Sequence, residues 1–146
     1  MTRLKRLVLA VAVGGTLAAC SSSPPTTPTT PPNVAGSWNI TKFQFVSVAN
    51  ASTTIDELAG GVTATLTMTA TAYTISSGGN NVLVGTYTET ATTLVVHGTD
   101  SGGNAETLNF VFGLNGSTIT LTGATTNHDF GSGEVPSYLN ITATKL

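Results

Sequence analysis

An all-β, antiparallel up-and-down β-barrel of about eight strands is the fold class that three features of the sequence predict. Apolar residues alternate with threonine along several runs, the period-two code of half-buried strands. Short Gly- and Asn-rich turn signals separate those runs, so successive strands lie side by side as a meander. Helical periodicity is nearly absent. A β-sandwich carries the same code and is the alternative. Closure into a barrel is favoured because it removes the free edges that invite aggregation.

The chain begins with a segment that does not belong to that fold. Arg3, Lys5 and Arg6 precede a short apolar run, Leu7 to Val13, and small residues follow. This is the pattern of a secretory signal over residues 1–19, its apolar run well short of the roughly 20 residues needed to span a bilayer. Residues 20–33 hold Cys20 and then a tether of serine, threonine and proline. Proline fixes φ and removes a donor there, so the tether extends toward polyproline II and builds no core. Residues 34–146 form one domain, long enough to bury a core without disulfides.

Strands are expected near 36–47, 61–70, 72–77, 82–89, 92–98, 106–113, 117–123 and 137–145. In the first, Trp38 and Ile40 share one parity while Phe43 and Phe45 share the other. A bulge at Thr41–Lys42 would turn both pairs to the same side; a strand buried on both faces is the alternative. In the second, Val62, Ala64, Leu66 and Met68 face one way and the threonines between them the other. Leu108, Phe110 and Phe112, then Ile119 and Leu121, then Leu139, Ile141 and Ala143 repeat the device. β-Branched threonine suits a pleated surface and turns its hydroxyl to water. Asn115-Gly116 is the strongest hairpin signal. Between the first two strands, 52–60 offers a helix cap at Thr53 or Thr54, acids in the first turn and Gly60 as a stop, which predicts one or two helical turns over a barrel mouth. Residues 123–137 read as a long loop, with Phe130 as a plug folded into a barrel mouth or, alternatively, an exposed contact residue.

Loss of the signal leaves Lys42 and Lys145 against seven acidic residues, a net charge of −5. Nucleic acid, which needs a basic patch, is therefore excluded as a partner, as is electrostatic adhesion to anionic lipid. The single cysteine leaves no partner for an internal disulfide in an exported chain.

Two resemblances follow from quoted residues. Leu17-Ala18-Ala19-Cys20 resembles a bacterial lipobox. It implies cleavage before Cys20 and a lipid anchor, such as palmitate, on that cysteine. Ser21, where aspartate would retain the protein at the inner membrane, implies the outer membrane of the cell envelope. Gly36-Ser37-Trp38, with the later stretches Gly85–Val96 and Phe110–Gly123, resembles the lipocalin-like, or calycin, barrels of small bacterial lipoproteins. That resemblance implies that Trp38 closes one end of the barrel against a basic residue of the last strand, here Lys145.

No catalytic constellation stands out. His97 and His128 lie in separate segments without metal-ligand spacing, no Gly-x-Ser-x-Gly elbow is present, and the acids are scattered singly. The expectation is a non-enzymatic protein without cofactor or metal, its membrane contact made by the lipid. A small hydrophobic ligand would sit among Phe43, Phe45, Leu66, Met68, Tyr87, Phe110 and Phe112. A filled barrel acting as an inhibitor- or adhesin-like interaction module is the alternative.

Overall fold

The computed structural model describes residues 30–100 and 103–146, so the signal segment, Cys20 and most of the tether lie outside the described residues. The described chain runs through β1 (Gly36–Ser47), β2 (Thr54–Asp56), β3 (Ala64–Met68), β4 (Ala72–Ser77), β5 (Asn80–Glu89), β6 (Thr93–Asp100), β7 (Ala105–Asn115), β8 (Thr118–Asp129) and β9 (Glu134–Lys145). Each strand from β3 to β9 pairs antiparallel with the next, β3 pairs with β1, and β9 returns to β1. The result is a closed eight-stranded barrel with β2 added outside the ring, on the outer half of β1. Closure through β1–β9 excludes the two-sheet sandwich.

Bulges aim the inward faces. The β1–β9 register slips between Ile40 and Lys42, which places Thr41 as the extra residue. Parity then changes, and Trp38, Ile40, Phe43 and Phe45 all join the interior packing. A second slip in β8, between Leu121 and Ala124, does the same for Ala124, Thr126 and His128. Gly123 sits in it with φ +79°, and its N–H donates to Asn140 Oδ1 at 3.0 Å.

The two corrections to the predicted elements have local causes. No helix forms among the described residues. Ile55 instead pairs with Phe45. The Asp56 carboxylate accepts from the N–H groups of Leu58 (3.0 Å) and Phe43 (3.3 Å), a side-chain alternative to helical bonding. Residues 123–137 are not a long loop either. β8 and β9 extend to Asp129 and from Glu134, joined by a short turn in which Asp129 Oδ1 accepts from Gly131 and Gly133 (2.7 and 2.8 Å). Those donors hold the Asp129 carboxyl below its ordinary pKa.

The interior divides into two halves. Around Trp38 it is filled: Leu66, Met68, Tyr87, Leu94, Phe110, Phe112, Ile119 and Leu121 are all buried. Trp38 is 1% exposed, and its Nε1 donates to the Val34 carbonyl at 3.0 Å. Lys145 Nζ lies 5.4 Å from the indole centroid. Gly36 has φ +137°, a region that favours glycine, and a Cβ there would meet Lys145 Cε at 3.5 Å. The glycine of the Gly-x-Trp pattern thus has a physical reading in its backbone conformation, which turns the chain into β1, while a Cβ there would make only ordinary contact with the lysine stem.

Glu89 stands near this filled half with Oε2 buried and without a partner among the described residues. Burial pushes its carboxyl above the usual glutamate range. A pKa raised in the folded state favours the protonated form, so stability is fullest below the unfolded pKa and falls as pH rises through the folded value. Glu89→Gln should therefore raise the thermal midpoint at pH 7 and change it little at pH 3.5. Denaturation followed by circular dichroism at both values checks this. A lower midpoint for the variant at pH 7 would contradict it.

Candidate functional site

The other half of the interior is open. At the end opposite Trp38 a cavity of about 490 Å³ sits inside the mouth, within the range of roughly 300–1,000 Å³ usual for small-molecule sites. Its walls are built by inward positions near the outer strand ends. Phe43 and Phe45 come from β1, Ala64 from β3, Ile75 from β4, Leu83 from β5, Leu108 from β7 and Leu139 from β9. Leu58, from the segment after β2, also lines it. That segment is stapled to β1 by the Asp56 bonds and by Glu57 N–H donating to the Phe43 carbonyl at 2.9 Å.

The rim carries the polar groups. The His128 ring stacks on Phe45 with centroids 3.9 Å apart and planes at 4°. Its Nε2 is 3.3 Å from Glu57 Oε1. Phe43 meets Phe45 edge to face at 5.7 Å, and Phe130 meets His128 likewise at 5.1 Å. Phe130 is half-buried against the histidine and is not part of the cavity wall, so the expected plug is corrected. His128, from the end of β8, lines the cavity there instead. Across from β8, Glu106 of the neighbouring β7 is half-buried, and its Oε1 accepts from Thr126 Oγ1 at 3.4 Å.

That bond crosses a gap. β7 and β8 pair only between Val111–Asn115 and Thr118–Thr122. Beyond the β8 bulge, the outer half of β7 pairs with β6 and the outer half of β8 with β9. A shallow side opening of about 330 Å³ lies between them, sharing Glu106, Leu108, Thr126 and Asn127 with the main cavity. The slot and the cavity thus lie on two sides of the same residues, with the Thr126–Glu106 bond between the strands.

Beneath the cavity, Tyr73 of β4 is buried, and its hydroxyl has no partner among the described residues. Burial, with the Glu106 charge adding to it, pushes the phenol up to about 12. The hydroxyl occupies the place a side chain on Gly98 would take, and Gly98 pairs directly with Glu106.

The expected ligand residues are thus divided. Phe43 and Phe45 line the open cavity. Leu66, Met68 and Phe110 border only a void of about 20 Å³ in the packed half. Tyr87 is tied down by its hydroxyl donating to the Thr69 carbonyl at 2.6 Å, and Phe112 is buried; neither lines the cavity. His97 is exposed on β6, with Nδ1 3.1 Å from Thr107 Oγ1. Among the described residues, no group of three or more His, Cys, Asp or Glu side chains is placed to hold a metal. Sequence reasoning missed Glu57, Glu106 and His128 as cavity residues. The available signal was parity: Glu106 shares that of Leu108 and Phe110, and it extends their inward face by one position.

No family model, curated protein or solved structure matches the chain.

Proposed function

We propose that the chain is a cell-envelope lipoprotein, tethered by a lipid on Cys20, whose lipocalin-like barrel carries a small, largely apolar ligand without catalysing its conversion. The observation that carries this reading is the cavity of about 490 Å³ at the end of the barrel away from Trp38. The filled half supplies a rigid floor, and the apolar wall between Phe43 and Leu108 supplies the driving force. Burial of ligand surface there contributes roughly 25 cal/mol per Å². The lipobox-like residues Leu17 to Cys20 support the tether. The described chain enters β1 at the closed end, so the mouth lies at the opposite end of the barrel from the tether.

Two measurements test the reading. Cys20→Ser should abolish palmitate incorporation and release the protein from the membrane fraction; a variant that stays labelled and membrane-bound would refute the anchor. For carriage, the neutral probe N-phenyl-1-naphthylamine should bind the wild type. Leu58→Trp, placed at the half-buried mouth, should weaken it by about ten-fold, or about 1.4 kcal/mol, with little change in thermal midpoint. An unbound probe, together with native mass spectra free of any co-purified small molecule, would favour an interaction module instead.

A further inference from the structure

We propose that the cavity selects an amphiphile with a cationic head, an alkyl- or arylammonium, over one with a carboxylate head. The inference rests on the reading of the barrel as a carrier and specifies its ligand class.

The cavity wall contains two carboxylates, Glu57 and Glu106, and no lysine or arginine. Among the described residues the lysines are remote. Lys145 lies by Trp38 at the closed end, and Lys42 is exposed on β1, its parity opposite to that of Phe43 and Phe45. His128 is the remaining titratable group of the wall, and its Nε2 is directed at Glu57. Asp56 is engaged by backbone N–H groups, and Asp129 by its own turn.

Both acids line the cavity, Glu106 half-buried and Glu57 exposed at the rim, so Glu106 carries the larger share of their effect. A charge acting across a partly desolvated space is screened less than one at a surface. A ligand carboxylate would meet the like charge of Glu57 and Glu106 while losing its water. An ammonium would meet opposite charge, with Phe43 and Phe45 lining the same wall as aromatic surface for a cation. Glu106 is half-buried, and among the described residues its hydroxyl donor is Thr126, at 3.4 Å. Its remaining acceptor capacity suits the N–H donors of an ammonium. The Tyr73 hydroxyl, without a partner among the described residues and set against Gly98, the β6 residue that pairs with Glu106, continues this polar track inward.

The test uses three ligands with one chain length, decylammonium, decanol and decanoate, displacing N-phenyl-1-naphthylamine from the full chain at pH 8. Decylammonium should bind more tightly than decanoate by about ten-fold or more, with decanol between them. Glu57→Gln with Glu106→Gln should remove most of that difference and leave decanol unchanged. Equal or tighter binding of decanoate by the wild type overturns the inference without needing any variant. So does an undiminished preference in a double variant that still binds decanol. If decanol and the probe also fail to bind the wild type, carriage itself falls; if decanol binds without a charge preference, only the present inference falls.

Discussion

Trp38→Ala should destabilise the barrel by about 3–5 kcal/mol, the range for truncating a large buried aromatic side chain. The indole is almost wholly enclosed and its N–H bonds the Val34 carbonyl, so the substitution opens a cavity and frees a buried carbonyl together. Domains of this size are stable by roughly 5–15 kcal/mol, so the loss is a large share of the total. Lys145→Ala removes only the cation over the ring, which contributes about 0.5–1 kcal/mol when exposed. Urea denaturation of both variants should separate them clearly. Similar midpoints would mean that Trp38 contributes mainly through the lysine.

The second large effect is expected at the paired glycines of β5 and β6. A Cβ on Gly85 would overlap the His97 carbonyl oxygen and sit 2.6 Å from Gly98 Cα, both backbone atoms of the neighbouring strand. Neither can move without parting the β5–β6 ladder, so Gly85→Ala should cost more than the roughly 1–3 kcal/mol typical of overpacking. Gly98→Ala meets a different obstacle. Its Cβ would overlap the Tyr73 hydroxyl and lie 2.9 Å from the Val84 carbonyl oxygen. Tyr73→Phe deletes the overlapping atom, and because that hydroxyl has no partner among the described residues the deletion should itself be neutral or stabilising. The double variant should therefore recover part of the Gly98→Ala loss, while Tyr73→Phe should not rescue Gly85→Ala. Denaturant midpoints over both cycles check this, and strictly additive costs would contradict it.

Legibility in the sequence followed burial. Where a strand lines the filled half, as at Leu66–Met68 or Phe110–Phe112, its alternation is strong and its position was readable. The outer part of β8 was not, because its inward residues are Thr126 and His128, which border an open mouth and need not be apolar. The bulge in β1 was legible because apolar residues stand on both sides of the parity slip. The bulge in β8 was hidden because Thr122-Gly123 reads equally well as the end of a strand. The expected helix at 52–60 rested on capping residues, but Asp56 turned the same capacity to the backbone of Leu58 and Phe43.

The sequence by itself determined the all-β class, the inward parity of the filled half and the place of Trp38 where the chain enters the barrel. These depend on period-two patterning and turn chemistry, interactions among residues close along the chain. Only the tertiary structure decided which half of the interior stays open, and that Glu57, Glu106 and His128 meet around it. Those residues come from three separated segments, and their meeting depends on closure through β1–β9 and on the register slips in β1 and β8. A one-residue slip reverses every side chain beyond it, so the composition of the mouth was set by the bulges rather than by any local run of residues.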